Sequence, residues 1–322
     1  MRKYLLNATV GMLLGLYGAL VHAQFPAKPM SMVVPSAPGG ATDVIGRIVA
    51  REMELRLKRP VLVVNNAGAG GLIGTESVAK AAPDGYTMLF AYPGVITVSP
   101  ALQPKLAYDP EKNLSPVNLI ARTSFVLSVH PSVKATTLGE FIALAKAQPG
   151  KLNYGSAGVG TTSHLAMELL KFEAGIDIVH VAFKGSGPAS ALLLGGGLSA
   201  SFENLATALP RIRNGELRGL AVSSAERSAL APDIPTVSEA GAKGFEVTSW
   251  FGVMLPAGSS KEVFDRIADT LADAMRSPEV RKRLTDIGVE PVGAGAEAFR
   301  KQIAGEIVKW RRIVKEANIS TQ

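Results

Sequence analysis

The 322-residue sequence contains no cysteine, and this absence excludes several classes of protein. Without thiols the chain has no disulfide framework, no cysteine nucleophile and no thiolate ligands for zinc or an iron–sulfur cluster. A lipid anchor on an N-terminal cysteine is excluded as well. The chain must therefore be stabilised by its apolar core, and it is long enough to bury one.

Histidine is also scarce, and motifs for a serine nucleophile are missing. The four histidines, at positions 22, 130, 164 and 180, form no metal-binding motif such as H-E-x-x-H. The motif G-x-S-x-G is absent, because Ser156 lies in G-S-A-G. We therefore expect a protein that is not an enzyme and that needs no cofactor and no metal. The alternative from another class is a secreted α/β enzyme of the hydrolase type that uses Ser156 or Asp43.

No apolar run after the N-terminal region is long enough to span a bilayer. At the N-terminus, Arg2 and Lys3 precede an apolar run over residues 8–20, and V-H-A at 21–23 offers small residues for cleavage. This pattern predicts a signal peptide over residues 1–23, cut after Ala23. A single membrane anchor is the alternative, but the run is short and contains glycine. We expect the mature chain in the periplasm, without a lipid anchor.

Charge of one sign is not concentrated in any part of the chain. The formal net charge is +7, and it falls to +5 when Arg2 and Lys3 leave with the signal peptide. The basic residues are scattered and form no stripe, so we expect no nucleic-acid partner. A mild positive excess instead favours the attraction of small anions.

Short β-branched segments alternate with segments of helical period, which is typical of an α/β fold with parallel strands. One series covers residues 31–91 and a second covers 125–223, while V-T-S-W-F-G-V-M-L at 247–255 predicts a long strand that crosses between them. Two such series in about 300 residues predict two domains. We assign residues 24–123 plus 248–322 to a discontinuous domain 1 and residues 124–247 to domain 2.

The stretch P-S-A-P-G-G-A-T-D, residues 35–43, is the first of three glycine-rich turns between a strand and a helix. The first N–H groups of a helix lack partners, and the helix dipole makes them attractive to an anion. Gly39 and Gly40 allow a ligand to approach the backbone closely. Thr42 or Asp43 is a candidate helix cap. We call this stretch the first glycine turn and predict an anion site there.

The second and third glycine turns have the same form. The second, A-G-A-G-G-L-I-G at 67–74, has two alternatives, a dinucleotide fingerprint whose spacing fails at Ile73 and a tight turn without a ligand. The third, Y-G-S-A-G-V-G-T-T-S-H at 154–164, brings several hydroxyls beside free N–H groups, a combination that suits a carboxylate. Alternatively, one of these hydroxyls only caps the helix. The turns lack Lys and Arg, so recognition would use amides, hydroxyls and water.

Several motifs along the chain resemble those of one family. They are V-V-P-S-A-P-G-G-A-T-D, N-N-A-G-A-G-G-L-I-G, A-A-P-D-G-Y-T-M-L, L-A-Y-D-P, A-Q-P-G-K-L-N-Y-G-S-A-G-V-G-T-T-S-H-L-A-M-E-L, H-V-A-F-K-G, I-P-T-V-S-E-A-G and S-W-F-G-V-M-L-P-A-G. In this order they resemble the Bug-type, TctC-like substrate-binding proteins of tripartite tricarboxylate transporters, over essentially the whole mature chain. The resemblance implies a type II periplasmic binding fold, in which two α/β domains joined by crossing strands close on one small ligand.

The resemblance also implies a ligand site. The first two glycine turns would hold a carboxylate through backbone amides and ordered water, and the third would meet a second polar group. By position, the implied ligand-binding residues are Ser36, Ala37, Gly39, Gly40, Thr42, Asp43, Ala69, Gly70, Gly71, Ser156, Gly160, Thr161, Thr162, Lys184 and Asn204. In this comparison Asp43 resembles an orienting residue more than a direct ligand.

The function implied is capture of a small organic carboxylate, either a di- or tricarboxylate or an aromatic acid. The partners implied are the membrane permease subunits of a tripartite tricarboxylate transporter, and we expect a monomer. A sensory protein of the same fold, which presents its ligand to a receptor, is the alternative. Ser36 and Phe183 replace an aromatic residue and a tyrosine that are common in the family, so the ligand is not inherited from any one relative.

Overall fold

A computed structural model gives the fold over residues 25–103 and 105–316, and the predicted signal peptide lies outside these residues. The strands are β1 (Met30–Val34), β2 (Val61–Asn65), β3 (Thr87–Ala91), β4 (Leu114–Val129), β5 (Asn153–Ser156), β6 (Val179–Ala182), β7 (Ala200–Asn204), β8 (Arg218–Val222), β9 (Thr248–Pro256) and β10 (Glu290–Gly295). The α-helices are α1 (Ala41–Leu57), α2 (Leu72–Ala79), α3 (Ser99–Leu102), α4 (Pro110–Asn113), α5 (Leu138–Ala147), α6 (Thr162–Ala174), α7 (Ser186–Leu194), α8 (Leu205–Arg213), α9 (Lys261–Arg276), α10 (Pro278–Asp286) and α11 (Ala296–Glu316). None of these helices has both the length and the apolar character that crossing a bilayer requires.

The strands form two parallel groups that a pair of antiparallel strands connects. The first group is β2-β1-β3 and the second is β7-β5-β6, with β9 and β4 between them in the order β2-β1-β3-β9-β4-β7-β5-β6. The 16-residue strand β4 pairs with β9 up to Ser124 and with β7 from Phe125 onward. The α/β class and the crossing strands are confirmed. The domain limits near residues 123 and 248 stay a prediction, and they fall where β4 changes partner.

Each strand group packs against its own helices through a separate apolar cluster. In the first cluster, Met32 and Phe90 pack with Ile45 of α1, and in the second, Phe141 of α5 packs with Tyr154 and Phe202. Full burial of a large apolar side chain stabilises the fold by roughly 1.5–3 kcal/mol. Two such clusters make each strand group stable enough to position the loops at its edge.

The last helix, α11, fastens the crossing strand β9 through a buried carboxylate. Glu306 Oε2 accepts hydrogen bonds from Trp250 Nε1 of β9 at 2.8 Å and from Thr97 Oγ1 at 3.1 Å, and Gln302 Nε2 donates to Oε1 at 3.1 Å. Burial raises the pKa of Glu306, and the three hydrogen bonds offset only part of that effect. Trp250 itself is fully buried against Phe299, with ring centroids 4.9 Å apart.

Candidate functional site

A cavity of about 40 Å³ lies where loops of the two strand groups meet. It is lined by Ser36, Thr42, Tyr92, Phe125, Ala157, Thr161, Thr162, Ser163, Ser186, Phe202, Asn204, Ser249 and Phe251. Among these lining residues none carries a charged side chain, and hydroxyl groups are the most common polar feature. Within the residues that the structure describes, no cluster of three or more His, Asp or Glu side chains is arranged to hold a metal ion.

Four helices begin at this cavity. Thr42 is the second residue of α1, Thr162 and Ser186 are the first residues of α6 and α7, and Asn204 immediately precedes α8. At none of the four N-termini does the N-cap side chain make a capping hydrogen bond. Each helix N-terminus carries a partial charge of about +0.5. Helix N-termini favour a negative charge, and here four of them meet at a cavity that no lysine or arginine lines.

Three buried polar atoms at the cavity have no hydrogen-bond partner within the described part of the chain. They are Ser36 Oγ, Thr162 Oγ1 and Asn204 Oδ1. Their residues are 7%, 3% and 9% exposed and belong to three different segments: Ser36 follows β1, Thr162 begins α6 and Asn204 ends β7. A buried polar atom without a partner costs about 1–3 kcal/mol, so such atoms are expected to find one. A polar ligand in the cavity would supply it.

Asp43, the last residue of the first glycine turn, stabilises that turn through hydrogen bonds and an ion pair. Its Oδ2 accepts the Gly39 N–H at 3.0 Å, and its Oδ1 accepts Asn65 Nδ2 at 2.9 Å and pairs with Arg47 at 2.9 Å. Burial alone would raise the pKa of Asp43, but the hydrogen bonds from Arg47, Gly39 and Asn65 outweigh it and hold the pKa below its usual value. The expected side-chain cap by Thr42 or Asp43 is wrong, because Gly40 is the N-cap and Asp43 reaches back to Gly39 instead.

The second glycine turn does not line the cavity. Ala69 and Gly70 border an open groove of about 800 Å³, together with Val159 and the exposed Lys184. Tyr92 connects this turn to the cavity, because its hydroxyl donates to Gly70 O at 2.8 Å and its side chain lines the cavity wall. The second turn therefore supports the cavity from outside.

The remaining candidate residues lie behind the cavity or at its rim. Gly71 packs closely against Pro35 and the Tyr92 hydroxyl. Ser156, near the start of the third glycine turn, is 1% exposed and is not among the residues that line the cavity. The N–H of Gly160 donates to His164 Nδ1 at 3.3 Å and is therefore not free for a ligand.

Loops of the two strand groups touch on both sides of the cavity. On one side the Ala37 N–H donates to Lys184 O at 3.1 Å, and a Cβ added at Gly40 would overlap the Ser186 hydroxyl. On the other side, a Cβ added at Gly70 would lie 2.7 Å from Val159 O. Glycine is required at these positions because backbones from opposite groups meet there. The contacts enclose the cavity.

Comparison with known proteins identifies the family. The sequence model described as "Tripartite tricarboxylate transporter family receptor", TctC, matches residues 45–319. The chain belongs to the TctC family. A curated relative, Protein BugT of Bordetella pertussis, is 38% identical over 293 residues, which cover 91% of this chain and 90% of BugT.

Solved structures share the fold of this TctC protein. R. palustris Rpa4515 with adipate is 33% identical, has a TM-score of 0.89, and aligns with 92% of this chain and 99% of its own. MatC from Rhodopseudomonas palustris with bound malate is 32% identical, has a TM-score of 0.86, and aligns with 90% of this chain and 100% of its own. The type II periplasmic binding fold is thereby confirmed. A third neighbour, the periplasmic binding protein BugD, is 31% identical with a TM-score of 0.89, and it supports a binding role over the alternative of an enzyme.

The motifs of the TctC family predicted only some of the residues that line the cavity. Ser36, Thr42, Thr161, Thr162 and Asn204 were expected from the sequence, and they line it. The residues missed are Tyr92, Phe125, Ala157, Ser186, Phe202, Ser249 and Phe251, while Ser163 was expected only as one of the hydroxyls of the third glycine turn. A signal existed for two of them, because S-G-P at 186–188 marks a helix start and Phe251 lies in the S-W-F-G motif.

Proposed function

We propose that this TctC protein binds a small organic carboxylate in the cavity between its two strand groups. The observation that carries the proposal is the convergence of four helix N-termini with three buried, unpartnered polar atoms. Helix N-termini favour a negative charge, and hydroxyl and amide groups form hydrogen bonds with a carboxylate. Adipate and malate, each found with a solved neighbour, are small carboxylates.

Each wall contributes its own contacts to the ligand. From the first glycine turn, Ser36 and the N-terminus of α1 hold one carboxylate, while Tyr92 braces the second turn behind them. From the third glycine turn, Thr162 adds a hydroxyl, and Asn204 meets a second polar group of the ligand. Because the ligand contacts residues of both strand groups, it binds the closed form better than the open form. This difference in affinity drives domain closure.

The same geometry suits delivery as well as capture. No lysine or arginine is among the residues that line the cavity, so no ion pair would form with the bound acid there. A ligand held by dipoles and hydroxyls therefore leaves no unpaired cation behind when it departs. We propose that the mature, monomeric protein acts in the periplasm after loss of its signal peptide. It passes the acid to the permease subunits of a tripartite tricarboxylate transporter.

A thermal-shift panel on the mature protein, refolded to remove retained ligand, tests the ligand class. The panel holds dicarboxylates, tricarboxylates, aromatic acids, amino acids and sugars. A ligand at about 100 times its Kd should raise the free energy of unfolding by about 2.7 kcal/mol. We expect acids of one class to stabilise the protein. Stabilisation by a neutral solute alone would refute the carboxylate proposal.

A matched pair of variants tests the cavity. Ser36 and Ser128 each carry a buried hydroxyl without a partner in the described chain, but only Ser36 lines the cavity. Ser36→Ala should weaken binding of the stabilising acid about tenfold, the effect of one hydrogen bond to a charged group, while Ser128→Ala should leave it unchanged. Equal affinities in both variants would exclude this cavity as the site.

Uptake of the labelled acid by cells that lack the gene tests delivery. Loss of uptake is expected if the protein serves a permease. Normal uptake together with a lost transcriptional response to the acid would indicate the sensory alternative.

A further inference from the structure

Two histidines stack on each other, His164 at the end of the third glycine turn and His180 on β6, and the binding contacts proposed above do not use them. The rings of His164 and His180 stack with centroids 4.3 Å apart, and Tyr154 stacks on the other face of His180 at 4.7 Å. His164 is 5% exposed and His180 is half-buried. Neither ring lines the cavity.

The ring nitrogens tie down both ends of the turn that precedes α6. The Gly160 N–H donates to His164 Nδ1 at 3.3 Å, and His180 Nε2 lies 2.6 Å from Ser156 Oγ. Ser156 Oγ in turn accepts the Gly158 N–H at 3.1 Å. Thr162, whose hydroxyl is unpartnered at the cavity, begins α6 two residues after Gly160. The position of that hydroxyl thus depends on a segment that two imidazole rings fasten.

Only one of these contacts fixes the protonation of its ring. His180 Nε2 can accept a hydrogen bond from Ser156 Oγ or donate one to it, because Ser156 Oγ also donates to Gly158 O at 3.2 Å. A ring nitrogen accepts a hydrogen bond only when it carries no proton, so His164 Nδ1 must be unprotonated to hold Gly160. Burial lowers the pKa of both histidines, for His180 to about 4. The other titratable groups that face the pair are Tyr154, Glu168 and Lys171: Glu168 Oε1 accepts the Tyr154 hydroxyl at 2.6 Å and pairs with Lys171 at 2.8 Å. Glu168 opposes the lowering for both rings and Lys171 adds to it.

We propose that His164 and His180 are positioning residues for the ligand site. Through His164 Nδ1, which accepts the Gly160 N–H, and His180 Nε2, which bonds to Ser156 Oγ, they hold the turn from Ser156 to Thr162 in the conformation that presents Thr162 and the N-terminus of α6 to the cavity. The proposal rests on the proposed function, since the site that they position is the carboxylate site. It predicts that ligand affinity depends on the nitrogen atoms of the two rings and not only on their bulk.

Paired substitutions separate the nitrogens from the packing. His164→Leu and His180→Phe keep apolar bulk, and the second also keeps a stacked ring, but both remove the nitrogen contact. His164→Asn and His180→Gln keep a polar atom near the position of Nδ1 and Nε2, respectively. The control is His130→Leu, because His130 bonds to Ser132 and lies outside the third glycine turn.

Two readouts are measured on the full mature chain, the Kd of the acid that stabilises the wild type and amide exchange of residues 156–162 without ligand. We expect His164→Leu and His180→Phe to raise Kd about tenfold, equivalent to about 1.4 kcal/mol, and to speed exchange at Gly158 or Gly160. His164→Asn and His180→Gln should restore most of the affinity, and His130→Leu should match the wild type. Between pH 6 and pH 4 the wild type should lose affinity more steeply than His164→Leu, because a proton on His164 Nδ1 removes the acceptor of the Gly160 N–H.

The outcomes distinguish this inference from the proposed function. If His164→Leu and His180→Phe keep the Kd and the amide exchange of the wild type, the inference is overturned. The proposed carboxylate site would not be affected by that result. Equal losses in the apolar and the polar variants would also overturn the inference, because bulk alone would then explain the effect. A wild-type protein that binds no acid would refute the proposed function. Amide exchange in the unliganded variants would still decide whether the rings hold the turn.

Discussion

The first and third glycine turns present the same features to the cavity but are held by opposite kinds of chemistry. Behind the first turn, Asp43 is ionised and pairs with Arg47, whose side chain is 51% exposed. Behind the third turn, His164 and His180 are neutral and stacked. Each turn then offers an unpartnered hydroxyl and a helix N-terminus to the ligand.

This difference shows how charge can be kept away from a binding cavity. Near the first turn, where α1 faces solvent, a carboxylate can be used because Arg47 neutralises it. At the third turn, an uncompensated charge at the buried position of His164 would cost several kcal/mol. Neutral imidazoles can make directional hydrogen bonds there without that cost. The cavity receives helix dipoles from both sides and a full charge from neither.

The largest expected effect comes from preventing the two turns from meeting. Gly40 has an ordinary backbone conformation, with φ −86°, so a larger residue is tolerated in the turn itself. Its added side chain would collide with Ser186 across the cavity. Gly40→Leu should therefore abolish ligand binding while the melting temperature stays near that of the wild type, measured by calorimetry and circular dichroism.

Gly305→Leu is the control for that substitution. Gly305 lies in α11 with open space at its Cβ position, so the variant should bind normally. Full affinity in Gly40→Leu would show that the ligand does not need the two turns to approach as closely as they do in this structure.

An intermediate effect is expected from removing the charge behind the first turn. Asp43→Asn loses the ion pair with Arg47 and weakens the hold on Gly39, so it should lower the free energy of unfolding by about 1–2 kcal/mol, and Kd should rise about tenfold. Chemical denaturation and titration calorimetry measure the two quantities. Glu54→Gln removes the exposed pair with Arg51 on the same helix and should cost at most about 1 kcal/mol. Equal effects of the two substitutions would mean that Asp43 has no special role.

The smallest expected effect is the pH dependence that His180 contributes to the free energy of unfolding. The pKa of His180 is lowered to about 4 in the folded state, against an ordinary value of 6.5. Between these values the unfolded chain binds the proton and the folded chain does not, so this group makes the folded state less stable as pH falls from 6.5 toward 4. Because the ring is only half-buried, solvent screens part of this effect, and we expect a loss of about 1 kcal/mol in the free energy of unfolding.

The measurement is the difference in free energy of unfolding between the wild type and His180→Phe, followed from pH 7 to pH 4. The wild type should lose more stability over this range. Parallel curves would mean that His180 titrates normally in the folded protein. The comparison between a charged Asp43 at the first glycine turn and neutral histidines at the third would then be wrong.

Local signals in the sequence predicted most regular elements well. The short runs Val61–Asn65 and Thr87–Ala91 predict strands, and both strands have these limits. T-L-G-E at 137–140 predicts a capping box, which the Glu140 N–H bond to Thr137 Oγ1 at 3.1 Å confirms. S-S-K-E at 259–262 predicts a second capping box that starts at Ser259, but the helix begins one residue later because Ser260 is the N-cap. These features depend on residues within one turn of each other, so the chain alone specifies them.

Longer-range features were harder to predict. The sequence predicts a strand from Phe125, but β4 begins at Leu114. The part before Phe125 was not predicted because two register shifts against β9 break the alternation of buried and exposed residues. The glycine turns were found because their pattern is local. Phe125, Phe202 and Phe251 converge on the cavity only after strands from both groups pair, and along the chain they look like ordinary core residues.

The hydrogen bond between Trp250 and Glu306 gives the protein an intrinsic optical reporter. Trp250 is one of two tryptophans in the chain and lies on β9 between Ser249 and Phe251, which both line the cavity. An indole whose N–H is bonded to a carboxylate changes its fluorescence when that bond lengthens or bends. In a Trp310→Phe background, β9 would therefore signal the arrival of a ligand by emission alone, without a dye or a label.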